Sequence, residues 1–162
     1  MHSAVIYREV KKEDNVLLAR MIRQVFKEHD APQYGTVFSD PTTDNLFGLF
    51  RNSRSVLWVA ELNGLALGCC GIYPTEGLEN SCTELVKYYL AESERGKGTG
   101  RHLMELCIVS ARKLGYKRLY IESMPHFSKA VRIYEKLGFQ NLSSPLGNSG
   151  HTTCNIWMLL EL

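Results

Sequence analysis

The segment Arg95-Gly96-Lys97-Gly98-Thr99-Gly100 constrains the fold of this chain more than any other stretch. It sets three glycines and two cations in six residues, after a β-rich run and before an amphipathic helix. Strand, glycine loop and helix start together make an anion-binding device. The first backbone N–H groups of a helix have no intrahelical partner, and glycine removes the Cβ that would hold a phosphate away from them. Which phosphate ligand such a loop takes depends on the order of its residues and on the elements around it.

The chain has 162 residues, enough for one domain with a sizeable core, and it is read as a single domain over residues 1–162. A formal charge of +2 is too small to argue for nucleic acid or an anionic membrane surface. Five cysteines (Cys69, Cys70, Cys82, Cys107 and Cys154) form no C-x-x-C pair, so neither a disulfide framework nor a metal site is expected. The start, Met1-His2-Ser3-Ala4, runs into a strand-like segment without the apolar stretch of a signal peptide, and no run is long enough for a membrane span. A cytoplasmic protein is the expectation.

Hydrophobic spacing gives a strand over 4–11, a helix over 13–29, a loop over 30–40 and a shorter helix from Pro41 to Phe50. Strands over 55–62 and 65–73 flank Asn63-Gly64, a hairpin signal. A long strand over 83–91 leads into the glycine loop, followed by a helix over 98–114, a strand over 118–123 and a helix over 127–137. Two strands, over 139–142 and 153–160, end the chain. The order predicts a mixed α/β domain around one mostly antiparallel sheet flanked by helices.

A P-loop would need G-x-x-x-x-G-K-[ST], but Lys97 precedes Gly98 and no glycine stands at the upstream spacing. A dinucleotide site would need G-x-G-x-x-G early in a βαβ unit, whereas this loop reads G-x-G-x-G and follows an antiparallel hairpin. The stretch Arg95-x-x-Gly98-x-Gly100 instead resembles the R/Q-x-x-G-x-G/A motif of the GNAT family of N-acetyltransferases. The segment Ala130-Val131-Arg132-Ile133-Tyr134-Glu135-Lys136-Leu137-Gly138-Phe139 resembles that family's A-x-x-x-Y-x-K-x-G-F helix and turn. The resemblance covers nearly the whole chain and implies the acyl-CoA N-acyltransferase fold, with acetyl-CoA as co-substrate and no metal.

Carried over residue by residue, the resemblance implies that the amides of Arg95, Gly96, Lys97, Gly98, Thr99 and Gly100 bind the pyrophosphate of coenzyme A. Backbone groups of Leu90 and Ala91 would pair with the pantetheine arm, and an amide there would stabilise charge developing on the thioester oxygen. Glu84 is the candidate general base. Strand alternation sets it on one face with Val86, Tyr88 and Leu90, where partial desolvation raises a carboxylate's pKa. Its position also matches a base in the histone-acetylating branch of the family. Tyr134 matches the tyrosine that returns a proton to the coenzyme A thiolate in many members. Where many members carry an asparagine near the start of the last helix, this chain has Phe127, flanked by His126 and Ser128.

The implied activity is N-acetylation of a primary amine, on a small molecule or a peptide, by direct attack in a ternary complex. The other reading is a non-catalytic acyl-CoA-binding or sensing protein of the same fold. Acceptors in this fold meet the first two helices, the loop between them and the loop joining the last two strands; here those are residues 30–44, with Tyr34 and Phe38, and 143–153, with His151. The expected partner is thus an amine substrate, with no nucleic acid and no membrane; a homodimer is left open, and the sequence does not name the amine.

Overall fold

The computed structural model describes residues 3–162, so Met1 and His2 lie outside it. One seven-stranded sheet runs through the molecule, in the order β1 (Ile6–Glu9), β2 (Val56–Leu62), β3 (Leu65–Tyr73), β4 (Cys82–Leu90), β5 (Arg118–Ser123), β7 (Ile156–Glu161), β6 (Gln140–Asn141). Every pairing is antiparallel except β4 with β5. The β2–β3 hairpin turns at Asn63 and Gly64, both with positive φ (52° and 80°), as a two-residue turn of this kind requires.

Helices cover both faces. On one, α1 (Asn15–Glu28) buries Leu18, Ile22 and Phe26 against Leu57, Val59 and Cys69, with the short α2 (Leu46–Leu49) beside it. On the other, α3 (Thr99–Lys113) and α4 (Ser128–Lys136) close over a core that includes Leu103, Met104, Cys107, Leu119, Ile121 and Met158.

Several expected elements differ, the strand over 4–11 shortening to Ile6–Glu9. The helix expected from Pro41 to Phe50 is a 3-10 turn over Pro41–Asn45 followed by α2. Asn45 leaves helical geometry (φ −140°, ψ 63°) to cap α2, its side chain accepting from the Gly48 amide. The last strand begins at Ile156 rather than at residue 153, because Thr153 donates its amide to Gly35 and Cys154 to His151. The strand over 139–142 shortens to Gln140–Asn141.

Strand β4 carries the departure that matters most. Its pairing with β3 slips between Cys69 and Gly71, where Lys87 sits as the extra residue with φ 57°. This β-bulge resets the alternation. Glu84 and Val86 face α1 together with Tyr89, whereas Leu85, Tyr88 and Leu90 face α3 and α4. The expectation that Glu84, Val86, Tyr88 and Leu90 share a face is therefore corrected, since one inserted residue moves everything after it to the opposite side.

Candidate active site

Parallel pairing of β4 with β5 covers only Cys82–Arg118, Thr83–Leu119 and Glu84–Tyr120, although β4 continues to Leu90 and β5 to Ser123. Beyond Glu84 the two strands part. A bulged strand bends and twists more strongly than a regular one, which accounts for the parting. The gap opens into a cavity of about 490 Å³ lined from both faces of the sheet, a size suited to a small-molecule site. Glu84, Lys87, Tyr88, Glu122 and Tyr134 line it, with Phe26 and Phe127 among its apolar walls.

Glu84 is buried at 4% exposure. Burial pushes its carboxyl up from 4.5 to about 7, against the opposing Thr75 hydroxyl, which donates to Oε1 at 2.7 Å. The charge of Glu122 adds to the rise. Glu122 comes from β5, where Tyr120 donates to one of its oxygens at 2.7 Å and Ser149 to the other. Neither Glu122 nor Tyr120 was foreseen from sequence. The signal was present, because residues paired in register share a face, so Tyr120 stands beside Glu84 and Glu122 follows two residues on.

Tyr134 lies on the other side of the sheet, buried between Tyr88 and Phe139 with ring centroids 6.1 Å and 5.7 Å away. Burial holds its phenol well above the usual tyrosine range, so it stays a hydrogen-bond donor at neutral pH. Phe127 packs edge-on against Phe26 and Tyr89 and near the His29 ring, forming an apolar wall where a polar side chain was usual. His126 and Ser128 beside it are exposed.

The glycine loop precedes α3. Gly96 and Gly98 have φ of 75° and 85°, and Gly98 begins the helix without a side-chain cap. Among the described residues the amides from Gly96 to Arg101 make no hydrogen bond within the protein, leaving a row of donors at the positive end of α3. A Cβ at Gly100 would collide with the Tyr88 hydroxyl. These features fit an anionic phosphate. The loop cations are engaged elsewhere: Arg95 bonds Glu28 at 2.6 Å and the Leu90 carbonyl at 3.1 Å, and Lys97 pairs with Glu94 at 3.3 Å. Thr99 also donates to Glu94.

Ala91 departs from its expected part. Its amide donates to Leu67 at 2.8 Å and its carbonyl accepts from Glu94 at 2.9 Å, so both groups are used inside the protein. A ligand arm is left with the β4 edge before it, where the Leu90 carbonyl already accepts from Arg95.

The loops after α1 and before β7 close one end of the cavity and bind each other. Thr153 donates to the Tyr34 carbonyl at 2.7 Å, and His151 Nε2 lies 2.9 Å from Asp40 Oδ2. Burial opposes the charge on Asp40, but hydrogen bonds from Thr42 and His151 outweigh it and hold the carboxyl down at about 2. Of the two aromatics expected there, Tyr34 is 87% exposed and Phe38 packs on Phe26 and under Arg23. The thiol that lines the cavity is Cys154, pushed up to about 12 by burial, which makes it a poor nucleophile. Cys82, near Glu84 in sequence, is buried and raised to about 11. Among the described residues no group of three or more His, Cys, Asp and Glu could hold a metal ion, and no helix is long and apolar enough to cross a membrane.

A splayed parallel strand pair, a glycine-opened helix start beside it and a carboxylate–tyrosine cavity between them define an acyl-transferase class of site. Residues 23–139 match the Acetyltransferase (GNAT) family. The chain is 35% identical over 158 residues to the uncharacterized N-acetyltransferase YjgM of Escherichia coli K12, covering 97% of this chain and 95% of that protein. It superposes on an acetyltransferase of the GNAT family from Staphylococcus aureus Mu50 with TM-score 0.83 at 20% identity, covering 98% of this chain and 99% of that one. A second superposition, TM-score 0.76 at 17% identity, is with YncA of Salmonella typhimurium, a putative acetyltransferase solved with acetyl-CoA; it covers 98% of this chain and 94% of that one. The chain belongs to the GNAT family of acetyltransferases.

Proposed function

We propose that this protein transfers an acetyl group from acetyl-CoA to a primary amine by direct attack in a ternary complex. One observation carries the reading: a carboxyl raised to about 7 and a buried phenol reach one cavity at the gap between β4 and β5. Acetyl-CoA supplies the activated acetyl thioester. The amides of Gly96 to Gly100 would hold its pyrophosphate, and the β4 edge through Leu90 would hold its pantetheine arm.

An amine with an unperturbed pKa near 10.4 arrives protonated at neutral pH and must lose a proton before attack. Glu84, ionised in half or more of the molecules at pH 7 and above, takes that proton. Tyr134 donates a hydrogen bond to the departing thiolate. An ordinary thiol pKa near 8.5 lies below that of a buried phenol, so Tyr134 supports the thiolate more than it fully protonates it. The acetyl-CoA bound in the YncA structure supports the donor assignment by family likeness.

The test is thiol release from acetyl-CoA over a panel of amines, alongside coenzyme A binding by calorimetry. Amine-dependent thiol release is the expected result. Binding without release for every amine would leave an acyl-CoA-binding protein and defeat the reading.

A further inference from the structure

Lys87 is 6% exposed, yet among the described residues its ammonium makes no hydrogen bond and no ion pair. No fully occluded side-chain nitrogen or oxygen lacks a partner, so Nζ reaches open space, and the open space it lines is the cavity. The position carries a second cost. Lys87 holds φ 57° as the extra residue of the β4 bulge, a conformation glycine adopts far more readily. A strained backbone and an unpartnered buried cation at one residue are the pattern of a site kept for a ligand.

We propose that Lys87 receives an anionic group of the acceptor, so that the amine acetylated here also carries a carboxylate. The amine half of this statement rests on the acetyltransferase reading; the carboxylate seat does not. The groups near Lys87 explain why neither carboxylate of the protein serves it. Glu84 is held by Thr75, and Asp40 by Thr42 and His151. Both act on Lys87 only through space, and burial brings its ammonium below the usual 10.5 despite them. Cys69, the remaining neighbour, donates its thiol to the Lys87 carbonyl.

Charge complementarity selects the ligand. Glu84 and Glu122 line the same cavity as Lys87 and disfavour a dianionic phosphate, while they suit an ammonium. A zwitterion fits both ends, its amine toward Glu84 and its carboxylate toward Lys87. Three residues along a strand span roughly 10 Å between the two Cα atoms, which side chains reaching inward narrow to the size of an amino carboxylic acid. Phe26, Val37 and Met124 give its remainder an apolar bed.

The experiment compares amino carboxylic acids with their amides and their decarboxylated amines, using the unmodified protein and acetyl-CoA. The acids are expected to be preferred in kcat/KM by roughly 10- to 100-fold, the range of one hydrogen bond between charged groups. In Lys87→Met that preference collapses through KM of the acids, and Lys87→Arg restores part of it. Equal rates for acids and decarboxylated amines in the unmodified protein overturn the proposal, whether or not either variant folds. So does a Lys87→Met defect that falls on kcat of acids and amines alike, the mark of a general base. A second readout is thermal stabilisation of the coenzyme A-loaded protein by carboxylic acids that lack the amine. If no amine is acetylated but these acids stabilise the unmodified protein and not Lys87→Met, the acetyltransferase reading fails and the carboxylate seat stands. If they stabilise neither, the seat is refuted.

Discussion

Glu84→Gln isolates the cost and the use of one buried carboxyl. Gln keeps the shape and an oxygen able to accept from Thr75, and removes only the charge. In the unfolded chain Glu84 titrates near 4.5, in the folded protein near 7, and burial is the main cause. Below 4.5 both states are protonated and the group is neutral in its effect. As pH rises the unfolded state gives up its proton first, so stability falls until the folded carboxyl has also ionised. At ~1.4 kcal/mol per pKa unit the penalty reaches about 3 kcal/mol above pH 7, most of it acquired between pH 5 and pH 8. Thermal unfolding of both proteins across that window should show Glu84→Gln gaining on the parent with rising pH by several degrees, at roughly 2–4 °C per kcal/mol for a chain this size. Activity should move the other way. The parent gains its base as pH passes about 7, so the deficit of Glu84→Gln in kcat/KM, roughly 10²–10⁴-fold near pH 8, should be about 30-fold smaller at pH 5.5, where few of the carboxyls are ionised. A stability difference that does not change with pH would refute the burial argument. A rate deficit that does not change with pH would refute Glu84 as the base.

Tyr134→Phe should lower kcat by at least roughly tenfold with coenzyme A affinity nearly intact, measured by steady-state kinetics and calorimetry, since the ring remains and one donor is lost. Gly98→Val should weaken coenzyme A binding, because nothing crowds its Cβ position but φ 85° is strained for a β-branched residue; unchanged affinity would remove the loop from the site. Deleting Lys87 takes out only the extra residue and leaves Val86, Tyr88 and Tyr89 on their present faces, so the protein should keep its circular dichroism spectrum. With the bulge gone β4 straightens toward β5, and coenzyme A affinity should drop; full affinity in a folded deletion would mean the bulge does not part the strands.

The element order, the β2–β3 hairpin and the position of the loop before α3 were legible because each has a local cause: alternation, a turn dipeptide, a helical stripe. Asn45 shows where local reading fails, since the same helical pattern continues through a residue that spends its side chain on a cap. The β4 bulge was illegible for a different reason. Nothing in Val86-Lys87-Tyr88 signals φ 57° at a lysine, and a bulge is decided by how β3 and β4 pair, not by β4 alone. The site residues divide along the same line. Glu84 and Tyr134 stand in motifs, whereas Glu122 and Lys87 enter the cavity only once β5 is laid beside β4 and the bulge is formed.

The bulge also explains an arrangement that regular strands would forbid. Glu84 faces α1, and Tyr134 projects from α4 on the opposite side of the sheet, so a continuous sheet would keep carboxyl and phenol apart. They reach one cavity because β4 and β5 stop pairing after Glu84 and Tyr120. The open amides of the glycine loop, with Tyr88 and Tyr134, belong to the α3–α4 side, while Glu84 and the interlocked loops of Asp40 and His151 close the α1 side. A donor held on the α3–α4 side and an acceptor held on the α1 side would therefore meet only in the gap. The buried, raised thiols of Cys82 and Cys154 speak against a route through an acylated cysteine, as the direct transfer proposed above requires.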